Sequence, residues 1–190
     1  TADIYVGLRS YLDNNTLDTL GIYTQRPIVI DNLTAGESYF LSISAANDFG
    51  SSPQTELLGV IPSSGNVKCL IINGFDRVNG TTNTFNFIKQ HGSAFHSQGY
   101  PFDSATNEAI MEGDIDLDNY AVVDWVLGEE GTATSSFTGS EQDLVKSYLE
   151  NDKRKKMVMT HYSFFSIILD QKLFYPTRFI TSHGVSHPVR

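Results

Sequence analysis

The sequence has little cysteine and little positive charge. Cys69 is the sole cysteine, so no internal disulfide is available. Its setting in the apolar run Val67 to Ile72 reads as a small core residue rather than a nucleophile. No stretch approaches the roughly 18 consecutive apolar residues that a membrane span needs. Thirteen Lys and Arg face 22 Asp and Glu in 190 residues, a formal net charge of -9. Phosphate contact needs clustered cations, and the only cluster is Lys153-Arg154-Lys155-Lys156, so nucleic acid is excluded as a partner. No Gly-x-Ser-x-Gly elbow, Gly-x-Gly-x-x-Gly turn, Walker loop or Arg-Gly-Asp is present. A hydrophobic fraction of 40% with 12% aromatics nevertheless gives enough apolar surface for packed cores, against a wholly disordered chain.

The charge is unevenly spread. Residues 1 to 150 hold 6 basic and 20 acidic residues, a net of -14, whereas residues 151 to 190 hold 7 basic and 2 acidic, a net of +5. The composition breaks near Glu150. Four segments follow: 1–62, a linker at 63–66, 67–150, and an atypical basic and aromatic tail at 151–190.

Residues 1–62 pattern as short strands. Ile4, Val6 and Leu8 alternate with Tyr5, Gly7 and Arg9; Pro27 to Ile30 is a second β-rich run; Tyr39, Leu41, Ile43 and Ala45 alternate with Phe40, Ser42, Ser44 and Ala46. Such alternation sends one set to a core and the other to solvent or a flanking sheet. Leu33 to Tyr39 resembles the corner of a fibronectin type III sandwich, in which a tyrosine hydroxyl bonds back to the chain, and Asn47 to Pro53 resembles that family's loop between its last two strands. The resemblance makes Ile4 to Ser10 the third strand of seven. It implies a truncated sandwich that begins inside a domain, exposes apolar surface covered in the parent protein, and serves as a spacer.

After Pro62 to Asn66 the pattern changes to strands alternating with helices. Lys68 to Asn73 and Tyr120 to Leu127 read as buried strands. Thr84 to Phe95 reads as a helix with Phe85, Ile88, Gly92 and Phe95 on one face and Thr82 as its cap. Thr138 and Glu141 have capping-box spacing ahead of the stripe Leu144, Val145, Tyr148 and Leu149. The predicted fold class is therefore multidomain β plus α/β: a truncated fibronectin type III β-sandwich, then a partial Rossmann-like or flavodoxin-like parallel sheet.

In such sheets ligands sit at the carboxyl ends of strands. The first exit is Asn73-Gly74-Phe75-Asp76-Arg77 and the second Gly128-Glu129-Glu130-Gly131-Thr132, and Asn107-Glu108 lies in a connection able to reach the same rim. Asp76, Glu108, Glu129 and Glu130 could hold a divalent cation through oxygen, supply a general acid and base, or stand as solvated turn residues. Glu129 and Glu130 are the catalytic candidates; Asn73, Asp76, Asn107, Glu108 and Thr132 are the ligand-binding rim. No metal or cofactor is expected. Asp114 to Asp118 spaces its acids like a calcium loop but has Asn119 at the sixth position and Trp125 at the twelfth, where Gly and Glu are required. His183 and His187 lack zinc-ligating companions.

Val67 to Arg77, Asn107 to Ala109 and Val123 to Thr132 together resemble an α/β domain that follows a fibronectin type III module in large secreted bacterial proteins. These are described as xanthan lyase-like or golvesin-associated, and some carry an N-acetylmuramoyl-L-alanine amidase domain. The resemblance covers about residues 66 to 150. It implies an extracellular or cell-surface location, other domains of the parent chain as partners, and polysaccharide or peptidoglycan as ligand. The favoured function is a non-catalytic accessory and linker region; the alternative is a hydrolase or lyase acting through the rim acids. Beyond Glu150 the family's Gly-Gly turn and Ser-Gly strand exit are missing, although Met157 to Thr160 retains a strand pattern. Charge reversal coinciding with motif loss marks 151–190 as a frameshifted or foreign terminus, against the alternative of a native basic segment docking on the acidic body.

Overall fold

A computed structural model of the chain describes residues 3–10, 18–23, 28–67, 69–76, 83–129, 136–152, 155–161 and 165–169. The chain forms two compact units. The first comprises Thr1–Val67 with Phe85–Asp103, and the second Lys68–Thr84 with Ser104–Arg190.

The first unit is built on an antiparallel sheet of β1 (Asp3–Ser10), β2 (Asp18–Tyr23), β3 (Tyr39–Asn47), β4 (Gly50–Ser51) and β5 (Leu58–Val60). The order is β2-β1-β3-β4, with β5 also paired to β3. The β1–β3 ladder runs without a break from Asp3↔Ala46 to Ser10↔Tyr39. The β1–β2 ladder shifts register between Val6 and Gly7. At the corner before β3 the Thr34 N–H donates to Tyr39 Oη at 3.0 Å, and the Tyr39 hydroxyl donates to Glu37 Oε2 at 3.1 Å. The chain of α1 (Phe87–Ser97) belongs to this unit.

Two expectations for this unit need correction. Ile28 to Ile30 has no regular secondary structure, and Pro27 lies outside the described residues. A run of three residues that ends at Asp31-Asn32, with Asn32 at φ 64°, has no extended continuation on which to build a ladder. The helix begins at Phe87, and its N-cap is Asn86, which makes no side-chain cap bond. Thr82 lies outside the described residues, and Phe85, at φ 54°, sits ahead of the helix rather than on its face. In β3, Tyr39, Phe40, Ser42 and Ala46 are buried, whereas Ile43 is 38% exposed and Ala45 is exposed. The Phe40 ring lies against Gly59, where a Cβ would stand 2.7 Å from its Cδ1.

The second unit is built on a five-stranded sheet of β6 (Cys69–Asn73), β7 (Phe102–Thr106, of which the residues from Ser104 on belong to this unit), β8 (Val122–Gly128), β9 (Lys156–His161) and β10 (Phe165–Leu169), in the order β10-β9-β8-β6-β7. β6 and β9 flank β8 in parallel, and β10 returns antiparallel to β9. Both predicted strands are present. Every residue of β6 is buried, as are the last six of β8. A core forms on the face carrying Leu70, Ile72, Val123, Trp125, Leu127 and Met157, where α3 (Gly139–Asn151) packs Val145, Tyr148 and Leu149. The predicted capping box starts α3. The Thr138 hydroxyl accepts from the Glu141 N–H at 3.3 Å, while Glu141 Oε2 accepts from the Thr138 N–H at 2.7 Å. The architecture is thus mixed β plus α/β, and among the described residues no helix is long and apolar enough to cross a membrane.

Candidate functional site

Parallel pairing in register brings the carboxyl ends of β6 and β8 together, with Asn73 beside Val126. The Gly74 N–H extends the ladder by one bond, donating to the Val126 carbonyl at 2.9 Å. Chain order within the unit changes direction here, because β6, first in sequence, lies between β7 and β8. This is the position at which an open α/β sheet parts its loops to either side.

Both strand exits are glycine for a steric reason. A Cβ on Gly74 would stand 2.4 Å from Trp125 Nε1, and one on Gly128 would stand 2.1 Å from Phe75 Cδ1. Gly128 also takes φ 50°, in the left-handed region. The two glycines admit two large rings at the strand ends, and Phe75 and Trp125 are both fully buried. Asn83 anchors the first exit, donating from Nδ2 to the Phe75 carbonyl at 2.7 Å. Trp125 meets Phe137 edge to face at a centroid distance of 5.0 Å.

The predicted site residues are distributed as follows. Asn73 ends β6 and is buried, and its Oδ1 has no hydrogen-bond partner. Asp76 and Glu129 follow the two strands and are half-buried. In the connection after β7, Asn107 and Glu108 open the short helix α2 (Asn107–Met111), capped by the Thr106 hydroxyl, which accepts from the Ala109 N–H at 3.2 Å. Asn107 Oδ1 is buried without a partner, and Glu108 is exposed. Glu130 and Thr132 lie outside the described residues, as do His183 and His187. Among the described residues no three His, Cys, Asp or Glu side chains assemble into a metal-binding group, so Asp76, Glu108 and Glu129 do not form one together. Asp116 serves a local role, capping the 3₁₀ turn Leu117–Asn119 by accepting from the Asp118 N–H at 2.9 Å.

Two polar groups escaped the sequence reading. Asp124 lies buried within β8, in register with Ile71 and Val158, and its signal was a lone acid inside an apolar run. Lys155, from the basic cluster, is buried and forms an ion pair with Asp118, its ammonium 4.8 Å from the Tyr148 ring centroid. The Tyr148 hydroxyl lies 3.3 Å from the carbonyls of both Tyr120 and Lys156. Burial pushes the Tyr148 phenol and the Cys69 thiol above their ordinary values. A thiol kept protonated is a weak nucleophile, consistent with Cys69 as a core residue.

No family model matches the chain, and no curated protein matches it.

Proposed function

We propose that the chain is a non-catalytic accessory region of a secreted bacterial cell-surface or polysaccharide-processing protein, in which a fibronectin type III-like half-sandwich precedes a flavodoxin-like α/β unit. One observation carries the non-catalytic part. At the carboxyl ends of β6 and β8, where an α/β sheet would hold a substrate, the Phe75 ring is fully buried against Gly128. The strand ends are packed with aromatic side chains.

Other features support the domain reading. The Tyr39 hydroxyl bonds back across five residues to the Thr34 N–H, as in a tyrosine corner. The sheet order β2-β1-β3-β4 is compatible with one sheet of such a sandwich, and the half-exposed row of Leu41, Ile43 and Ala45 is what an uncovered inner face would present. Numbered within their own unit, the strands β6 to β10 run 5-4-3-1-2, the flavodoxin-like order read from its far edge.

A hydrolase or lyase acting through Glu129 has one observation in its favour. Asn73 Oδ1 and Asn107 Oδ1 are buried acceptors without a protein donor, on two residues of the proposed rim. The test is turnover. The chain is incubated with peptidoglycan and with neutral and acidic polysaccharides, and new reducing ends and soluble fragments are measured. The accessory reading expects no product above the blank and no difference for Glu129→Gln. Product formation abolished by Glu129→Gln would overturn it in favour of the enzyme.

A further inference from the structure

We propose that the first unit carries a saccharide-binding cleft centred on Tyr100. The cleft measures about 410 Å³ and lies between the turn at Ala35-Gly36, the segment Ile61 to Ser64, and the end of α1 through Pro101. That volume falls within the roughly 300–1,000 Å³ range of small-ligand sites. The floor is Ile61, 3% exposed, while Tyr100 stands 59% exposed at the side.

The walls are pinned by backbone hydrogen bonds. The Gly36 N–H donates to the Pro62 carbonyl at 2.9 Å, joining the first wall to the second. The Ile61 N–H donates to the Phe102 carbonyl at 2.9 Å, joining the second to the third. The Tyr100 N–H donates to the Phe95 carbonyl at 3.0 Å, fixing the base of the aromatic side chain to the helix end. A cleft so held loses little conformational entropy when a ligand enters.

Its chemistry selects the ligand class. Among the described residues His96 lines it but no Lys, Arg, Asp or Glu does, and the unit of Thr1–Val67 and Phe85–Asp103 holds 8 acidic and 3 basic residues. An anion would be repelled by the surrounding field, and a cation would find no carboxylate in the cleft. A neutral ligand remains. Tyr100 offers a flat apolar face with a polar tip, and Ser63 accepts the Gly65 N–H at 3.1 Å, which leaves its own proton free to donate. One exposed ring beside hydroxyls fits a sugar, whose C–H face stacks while its edge exchanges hydrogen bonds. A proline-rich peptide docks in grooves lined by several aromatics; here Tyr100 is the only Tyr, Phe or Trp in the lining.

The experiment titrates the full chain calorimetrically with cellohexaose and chitohexaose, and with oligogalacturonate and a polyproline peptide as competing classes. At least one neutral hexasaccharide should bind. Tyr100→Ala should weaken it about tenfold, and Tyr100→Phe should stay within about twofold, because stacking rather than the hydroxyl carries the contact. Ser64→Trp, adding bulk at an exposed lining position, should weaken binding independently if Tyr100→Ala misfolds by circular dichroism. The proposal is overturned if neither neutral hexasaccharide binds, if oligogalacturonate or polyproline binds more tightly than both, or if neither Tyr100→Ala nor Ser64→Trp reduces affinity. These outcomes are separate from the turnover assay: binding without dependence on Tyr100 sinks the cleft alone, and turnover sinks the accessory reading alone.

Discussion

Gly128→Ala tests whether the strand exits of the second unit are shaped by packing. Two costs combine. At φ 50° a side chain meets the left-handed penalty of roughly 1–2 kcal/mol. The new Cβ would also stand 2.1 Å from Phe75 Cδ1 and 2.4 Å from Cγ, at the base of a fully buried ring that cannot swing away. Overpacking of that kind costs about 1–3 kcal/mol. The sum, about 2–5 kcal/mol, is a large part of the roughly 5–15 kcal/mol that holds a domain folded. Trp125 is the only tryptophan and is fully buried in this unit, so its fluorescence reports the unit's unfolding in urea. With a slope of about 2 kcal/mol/M, the midpoint should fall by roughly 1–2.5 M. Phe75→Ala removes the ring atoms that the new Cβ would meet, Cγ included, while leaving the backbone part. In that background Gly128→Ala should cost only about 1–2 kcal/mol, giving a coupling of about 1–3 kcal/mol across the double-mutant cycle. A Gly128→Ala midpoint equal to wild type, or the same loss in both backgrounds, would refute the reasoning.

Two further perturbations follow from the same geometry. Tyr39→Phe deletes the acceptor of the Thr34 N–H and the donor to Glu37, and should lower the stability of the first unit by about 1 kcal/mol in thermal denaturation; no change would mean that solvent replaces both bonds without loss. Burial raises the Cys69 thiol above its ordinary 9.0, so the folded state keeps the proton that the unfolded chain releases. Stability should therefore be unaffected below about pH 9 and fall as pH rises beyond it, more steeply in wild type than in Cys69→Ala, as read from urea midpoints across that range. Identical slopes for the two proteins would show that Cys69 ionises equally in both states.

What the sequence made legible was what local chemistry alone decides. β6 and β8 were readable because fully buried parallel strands are continuous apolar runs, and α3 because Thr138 and Glu141 satisfy each other's backbone within one turn. The Tyr39 bond was expected only from the resemblance of Leu33 to Tyr39 to a fibronectin type III corner, and its Thr34 partner lies five residues away. The remainder depended on distant partners. β2 was missed because Asp18 and Gly21 weaken its strand pattern, and its ladder to β1 supplies the order. Which residues of β3 are buried depends on distant packing such as Phe40 against Gly59, which no alternation rule contains. At the rim, the sequence located Asn73 and Asn107 but gave no sign that Phe75 and Trp125 would fill the strand ends, because that depends on Gly74 and Gly128 approaching rings from other segments.

The basic segment after Glu150 is the place where sequence pattern and packing pull apart. The family-like exit is lost there, and the charge reverses; yet β9 pairs in parallel with β8 from Val122↔Lys156 to Gly128↔His161. Met157 is fully buried in the same core as Val123, Trp125 and Tyr148. The four-residue cation cluster is divided by that packing: Lys155 turns inward to Asp118 and the Tyr148 ring, while Lys156 is exposed. Through residue 161 the segment supplies an apolar strand paired to β8 and a lysine opposite a carboxylate. Asp118, which the calcium-loop spacing first brought to notice, then has a structural reason for its charge. Burial of the Lys155 ammonium is tolerated because a carboxylate and an aromatic face receive it, and without Asp118 the cation would be left buried and uncompensated.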